Sequence, residues 1–500
     1  MDEQKQITTD ADNEYRASSE VGSSRVGVKV KMSKAEKIEK FDSSEVTASL
    51  DYHLTDMGNG QRLALYYGDK LRFLWDADQW LFWDGRRWSR ESGKEGVARL
   101  CKKTAIRIYS EVSLLESRTD REQFAKWAIR SESEGKEQAM ANMARSEKPI
   151  STYSKYFDTD PMQFNSGNWV IDLTNGSVTP QHPEHNLTKL GGCEFDETAI
   201  CPTWDRCVAE WMDGDEEKVK YLQMILGYCL TGDISARIFP IFHGQGFNGK
   251  SKCLDAICEI LGDYATLGAE DLLTEKKIGQ HPTDIMKLQG RRLVVVDESK
   301  KNMMLRTSLV KRMTGDTQLT GRFMRQDFQD FNITHKLILM TQNLPIIKET
   351  ADAIWDRVHL LRWNRQFDED ERDVDLPDKL RKEYSGILNW LIQGCLNWQK
   401  AGRRITRPNA VKQAGLEYRA ESDPLDDFMQ AKCEFNPRAT TTVKALDDEY
   451  KSWCQSENIK WILSKRNFND YLRERGCEKK NVWSNGNAVK CWIGIGIQEN

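Results

Sequence analysis

Residues 237–261 read RIFPIFHGQGFNGKSKCLDAICEIL: an apolar strand, then G-x-x-x-x-G-K-S, then an amphipathic helix. The flanking strand and helix separate a phosphate-binding loop from a chance match, which at average residue frequencies turns up in roughly one chain of this length in fifty. The loop residues Gly244, Gln245, Gly246, Phe247, Asn248 and Gly249 can turn their N–H groups inward around phosphate. The helix that follows adds the partial positive charge of its N-terminus. In this reading Lys250 neutralises the β and γ phosphates of a nucleoside triphosphate and the Ser251 hydroxyl ligates Mg2+, with Lys252 closing the binding segment. ATP and Mg2+ are the expected cofactors.

Working outward, RRLVVVDES (291–299) supplies a second strand that ends in Asp297 and Glu298. Asp297 is expected to hold the hydrated Mg2+, and Glu298 to orient or deprotonate the attacking water. A third apolar strand, Lys336 to Met340, runs into Thr341-Gln342-Asn343. It is the third consecutive strand with polar residues at its C-terminal end, where open α/β sheets bind ligands. AIWDRVHLLRW (353–363) follows, with Arg357 just before another strand. Arg357 reads either as a surface residue of a solvated turn or as an arginine finger that reaches a neighbouring subunit. Strands alternating with helices from Arg237 to Phe367 predict an α/β fold built on a parallel sheet.

The whole chain has 500 residues, 39% hydrophobic and 30% charged, with net charge −4, and a mean hydropathy of −0.67. This composition fits several domains and no membrane span, so a cytoplasmic location is expected. A slightly acidic chain is no general nucleic-acid coat, and DNA contact must come from local patches. One such patch spans residues 460–490, where Lys465, Arg466, Arg473, Lys479, Lys480 and Lys490 contribute to a local excess of five positive charges. Twelve scattered cysteines lack the spacing of a zinc site and read as reduced thiols. Asp158 and Asp160 form a D-x-D pair that could hold metals, but without an evident third ligand they read as an acidic turn before Pro161.

Residues 1–45, rich in Ser, Thr, Glu and Lys, predict a disordered tail. Next comes LALYYGDKLRFLWDADQWLFWDGRRWS (63–89), whose tryptophans read as a core cluster, with base stacking as the alternative. Residues 46–200 are assigned to an α+β accessory domain, 201–400 to the nucleotide-binding core, 401–424 to a linker helix and 425–500 to a helical segment ending in short strands.

Several motifs in order resemble superfamily 3 helicases of the phage and plasmid primase-helicase type. GQGFNGKS (244–251) is similar to that family's Walker A and LVVVDE (293–298) to its Walker B. VKRMTGDTQLTGR (310–322) with HKLILMTQNLP (335–345) resembles its hairpin and motif C, and AIWDRV (353–358) its arginine-finger segment. LTDMGNGQRLALYYGDKLRF (54–73), WLFWDGRRW (80–88), FDTDP (157–161) and NWVIDLTNGSV (168–178) resemble the domain that precedes the helicase. EYKSWCQSENIKWILSKRNFNDYLRERGCEKK (449–480) and CWIGIGI (491–497) resemble its C-terminal winged helix.

The resemblance implies an AAA+-type ATPase domain in a homo-hexameric ring of a phage or mobile element, which unwinds DNA during replication. ATP sites would lie between subunits, with single-stranded DNA in the channel and duplex DNA on the winged helix. A separate primase and other replication proteins are the expected partners, without primer synthesis by this chain. By resemblance, Arg322 and Arg325 on a hairpin contact DNA phosphates and Phe328 stacks; alternatively the arginines pair with Asp327 and Asp330. Lys465, Arg466 and Arg473 would lie on the recognition helix. The competing reading is a replication initiator or regulatory ATPase that binds nucleotide and DNA without unwinding.

Overall fold

The apolar runs of the middle segment become five parallel strands: β1 (Phe239–His243), β2 (Ala265–Leu267), β3 (Leu293–Glu298), β4 (Lys336–Thr341) and β5 (Val358–Arg362). This computed structural model describes residues 43–275, 282–298, 300–301, 303–322, 327–347, 349, 351–422, 424–457, 465–484 and 487–498. Across the sheet the strand order is β5-β1-β4-β3-β2. Alternate residues of each run go to opposite faces. Leu293, Val295, Ile338, Met340 and Leu361 join one hydrophobic cluster, while Val294, Val296, Leu337, Leu339, Val358 and Leu360 join another. A parallel sheet covered on both faces needs such continuous apolar runs, because no position faces water.

The first cluster holds helix α1 (Lys250–Leu261) together with helices Pro202–Trp211, Glu216–Tyr228 and Tyr384–Lys400. Glu216–Tyr228 and Tyr384–Lys400 lie close enough that a Cβ on Gly394 would sit 2.2 Å from the Gln223 carbonyl oxygen, and one on Gly227 2.4 Å from the Cys395 nitrogen. Met162, Phe164, Ile171 and Leu173 also belong to this cluster. They lie in or beside an antiparallel meander, Gln163–Asn165, Trp169–Asp172 and Ser177–Pro180. The meander therefore packs with the parallel-sheet core. The helix expected to be a linker, Asn409–Ser422, likewise packs on the sheet: Val411, Ala414 and Tyr418 are buried, and Arg362 at the end of β5 pairs with Glu417 at 2.8 Å.

The N-terminal unit has a four-stranded sheet, ordered Trp88–Ser89, Gln79–Trp83, Leu71–Leu74, Ser151–Thr152, against helices Asp56–Tyr67, Gly93–Val112 and Glu134–Ala144. Trp80 and Trp88 are core residues, whereas Trp75 is exposed and donates to the Ser151 hydroxyl. A fully buried ion pair, Arg62 with Glu111 at 2.9 Å, ties the first two helices together. The tail expected over 1–45 lies outside the described residues except for its end, where helix Ser43–Ser49 is anchored by buried Val46 and by Glu45, 2.8 Å from Arg107.

The C-terminal unit has its own core, built around Leu425, Phe428, Leu446, Leu472 and Trp492. Its order is helix Pro424–Lys432, strand Cys433–Thr442, helices Val443–Ser456 and Lys465–Glu474, then a hairpin of Glu478–Ser484 and Asn487–Ile497. No helix among the described residues is long and apolar enough to cross a membrane.

Two glycine substitutions should behave oppositely. Gly394→Val forces a side chain into the helix crossing and should cost about 2–3 kcal/mol, whereas Gly415→Ala adds a methyl group that meets nothing within 4 Å and should stabilise by about 0.5–1 kcal/mol. Guanidinium unfolding midpoints of the two variants would read the contrast, and equal midpoints would contradict it.

Candidate functional site

The chain turns from β1 into α1 through Gly244–Gly249, and two of the three glycines are required by their surroundings. A Cβ on Gly244 would sit 2.4 Å from the Trp363 carbonyl oxygen and 2.6 Å from Asn248 Nδ2. Gly249 has φ +85°, and a Cβ there would meet the Trp211 indole at 2.1 Å. Gly246 faces open space. Asn248 is buried and donates to the Trp363 carbonyl at 3.2 Å. Phe247, at φ +60°, leaves its ring 62% exposed under the Arg372 guanidinium, 3.6 Å from the ring centre.

Lys250 bends back over this loop and donates to the carbonyl oxygens of Gly244 (2.7 Å) and Gln245 (3.1 Å) and to Asn248 Oδ1 (2.9 Å). Burial lowers its pKa to about 8, partly offset by the Asp297 carboxylate. Asp297 shifts upward: burial raises its pKa, Lys250 opposes that rise, and Glu270 and Glu298 add to it. Ser251 and Lys252 are exposed on the first turn of α1, and the Ser251 hydroxyl lies 3.6 Å from Met340 Sδ. Lys250, Ser251 and Asp297 thus share one edge of the sheet, on the face that carries α1.

Glu298 is on the other face of β3, only 3% exposed, accepting from the Thr274 hydroxyl at 3.4 Å and from the Lys300 N–H at 3.0 Å. Asn343 follows β4 at the same edge as the loop, its N–H donating to the Thr341 hydroxyl at 3.1 Å. Arg357 is far from them. Its carbonyl accepts from Phe239 N–H at the start of β1, so the length of a five-residue strand, about 16 Å, separates it from the loop. Its guanidinium donates to the Thr314 hydroxyl at 3.1 Å and to the Ala353 carbonyl.

The strand-end reading stopped one strand early. Arg362 closes β5 at the ligand edge and, with Arg365, His243, Gly244 and Gly246, lines a cleft of about 340 Å³ beside the loop. The signal was present in VHLLRW, whose polar residue follows the strand as Asp297 and Asn343 follow theirs.

The hairpin expected after residue 321 has arms Gln318–Gly321 and Gln329–Asn332. Arg322 stacks on Phe328, 4.7 Å from its ring centre, and that ring is 60% exposed. Asp330 accepts from the Thr320 hydroxyl at 2.6 Å, so it serves the neighbouring arm rather than Arg322. Arg325 lies outside the described residues, as does the side chain of Arg466. Asp158 accepts from the Thr188 N–H and hydroxyl, and Asp160 from the Met162 N–H, which makes both carboxylates turn-forming groups.

A loop of this shape, with a lysine drawn onto its own carbonyls and a helix N-terminus behind it, suits a polyphosphate. Among the described residues no three His, Cys, Asp or Glu side chains cluster to hold a metal unaided. A cation fits here only as Mg2+ commonly binds, through few protein oxygens with phosphates and water completing its shell.

Residues 60–213 match the family described as "D5 N terminal like". Relatives include "Putative helicase L207/L206" of Acanthamoeba polyphaga mimivirus, 25% identical over 52% of this chain and 29% of that one. "Putative helicase 121R" of Invertebrate iridescent virus 3 is 27% identical over 56% of this chain and 33% of that one. "Putative primase C962R" of African swine fever virus is 23% identical over 62% of this chain and 35% of that one. The domain match and the names of these relatives support a primase-helicase family for this chain. It spans about a third of the length of these relatives. Among solved structures, the apo C terminal region of NrS-1 aligns with TM-score 0.39 at 14% identity, over 59% of this chain and 76% of that one.

The lowered pKa of Lys250 sets a pH window. Phosphate favours the charged amine, so binding above about pH 8 requires proton uptake. Affinity for a nucleoside triphosphate should be flat near pH 7 and fall by up to about tenfold per pH unit above pH 8. In Lys250→Arg, whose guanidinium stays charged, the profile should be flat. Fluorescent-nucleotide titrations from about pH 6.5 to 9.5 would detect the difference, and parallel profiles would remove Lys250 as the titrating group.

Proposed function

We propose that this chain is an ATP-hydrolysing DNA helicase of superfamily 3, with an AAA+-type core and a C-terminal winged helix, working as a homo-hexameric ring in DNA replication. The observation that carries this reading is the division of charged groups between the two ends of one parallel sheet. Lys250, Ser251 and Asp297 stand at the C-terminal edge, and Arg357 stands before β5 at the other end. An arginine that cannot reach its own loop can serve the loop of a neighbour. The order β5-β1-β4-β3-β2, with Asn343 following the strand between β1 and β3, supports the same reading.

In a closed site the loop amides and Lys250 would hold the β and γ phosphates, with Arg357 of an adjacent copy against the γ-phosphate. Mg2+, held by Ser251 and Asp297, would neutralise charge developing on the phosphates. Glu298 would orient the attacking water once its side chain leaves Thr274. Arg322 and Phe328 would grip single-stranded DNA without reading its sequence. The helix-strand-helix-helix-hairpin order of residues 424–497 supports a winged helix in which Lys465, Arg466 and Arg473 meet duplex phosphates.

The turned-away Glu298 favours a second reading, a nucleotide-dependent initiator or regulatory ATPase without unwinding. Fork unwinding with ATP decides between them. Parent protein should separate strands, and Lys250→Ala and Glu298→Gln should reduce turnover at least about a hundredfold; a Glu298→Gln protein that unwinds like the parent would remove Glu298 from catalysis. Arg357→Ala should keep nucleotide affinity and lose hydrolysis. Mixing it with Lys250→Ala subunits should restore part of the activity, because mixed interfaces then contain one intact site.

Removal of residues 425–500 should weaken duplex binding while basal ATP hydrolysis persists. Unchanged duplex affinity after truncation would count against the winged-helix assignment.

A further inference from the structure

Trp483 is 77% exposed, while the next most exposed tryptophan among the described residues, Trp75, is at 45%. It lies on the outer strand of the final hairpin, where the pairing is Lys479↔Trp492, Asn481↔Lys490 and Trp483↔Ala488. Residues two apart share a face, so Lys479, Asn481, Trp483, Ala488, Lys490 and Trp492 line one side of the hairpin. At its base that side is core: Trp492 is fully buried, and the Lys479 ammonium lies 4.7 Å from its ring centre and donates to Asn469 Oδ1 at 2.7 Å. Asn469 belongs to helix Lys465–Glu474, so this face of the hairpin looks toward that helix.

The same face is cationic. Lys479 is disfavoured as a cation first by burial and then by Arg473, Lys490 and Lys465, each of which is close enough to act on it. The nearby acids are engaged: Asp470 pairs with Arg473 at 2.9 Å, and Asp447 with Lys451 at 2.8 Å and Lys465 at 3.5 Å. Lys480, on the opposite face, pairs with Glu478 at 2.5 Å. A row of cations thus runs along this face of the hairpin and ends in an uncovered indole, about 13 Å along the strand from buried Trp492.

An exposed indole at the end of a cationic face has an evident complement in nucleic acid: phosphates along the face and the flat side of a base at its end. Within continuous duplex each base is covered by its neighbours, and only a terminal base pair, at a free end or where strands part, offers an open face. We propose that Trp483 caps the terminal base pair of a DNA duplex held by the Lys479 and Lys490 face. This rests on the reading of the C-terminal unit as a duplex-binding module and adds to it a preference for duplex ends.

The test uses the full chain without nucleotide and two probes of one duplex sequence. One is an open blunt-ended duplex with 2-aminopurine in the terminal pair; the other is a dumbbell closed by loops at both ends. The parent should bind the open duplex roughly tenfold more tightly than the dumbbell and quench the terminal 2-aminopurine. Trp483→Ala should lose both the preference and the quench while keeping dumbbell affinity; Trp483→Phe should retain both. Lys479→Ala combined with Lys490→Ala should weaken both probes alike and lower the salt slope by about 2.

If Trp483→Ala keeps the preference and the quench, or if it loses affinity for both probes equally, the proposal is overturned. If the double lysine variant binds both probes as the parent does, the charged face is not the duplex site. The terminal quench still reports on Trp483 separately, so the two failures are distinguishable. A parent that binds protein partners but shows no end preference on DNA also overturns the proposal.

Discussion

Five parallel strands can stay together only if both sheet faces are kept dry, and that constraint accounts for most of the middle of this molecule. The face carrying α1 is closed by helices before and after the sheet in sequence, with the meander of residues 163–180 filling its margin. The other face is closed by Leu309, Val310 and Met313 of helix Thr307–Gly315 and by Tyr418, whose hydroxyl donates to the Pro345 carbonyl. Coverage of this kind leaves only the two ends of the sheet open to chemistry. The phosphate-type loop takes one end and Arg357 takes the other.

The loop is shaped by its neighbours as much as by its glycines. Trp211 and the Trp363 carbonyl stand where Cβ atoms of residues 249 and 244 would be. Asn248 bridges the Trp363 carbonyl and the Lys250 ammonium. A side chain from a helix before the sheet and the backbone after its last strand therefore hold the loop open. At the far end of the sheet Lys336 is sealed: it donates to the carbonyls of Thr231 and of Asp233 (3.2 Å), and burial pushes its pKa down to about 7. Arg292 beside it donates to the Leu230 and Gln163 carbonyls. Main-chain oxygens satisfy these cations, which act as ties between the sheet, the preceding loop and the meander.

What could be read from the sequence follows from how local each signal is. VVV before Asp297 and LIL before Met340 announce strands because buried parallel strands need unbroken apolar runs. Ala265–Leu267 has no such run, and its place beside β3 comes only from pairing. The meander reads as part of the preceding domain because NWVIDLTNGSV resembles it, and its packing on the parallel-sheet core is visible only in the burial of Phe164, Ile171 and Leu173. Chemistry at the site was legible as residue type and order: Lys250, Ser251 and Asp297 meet. Side-chain direction was not, since adjacent residues of a strand point to opposite faces, and that alternation separates Glu298 from Asp297. Trp483 lies in VWS, a pattern that reads as an ordinary half-buried strand; only the length of the hairpin beyond its core exposes it.

Arg357 is linked to the hairpin through helix Thr307–Gly315. Its Nε donates to the Thr314 hydroxyl, which itself donates to the Val310 carbonyl at 2.7 Å. Thr314 is in the last turn of helix Thr307–Gly315, and four residues after it the chain enters the hairpin arm Gln318–Gly321 that leads to Arg322. A guanidinium drawn toward an outside anion must release Thr314 or carry it along. Either movement acts at the root of the hairpin, because only Asp316 and Thr317 lie between the helix and the first arm. Arg357 is therefore mechanically joined to the hairpin with the exposed Phe328 ring, through one hydroxyl and one short turn.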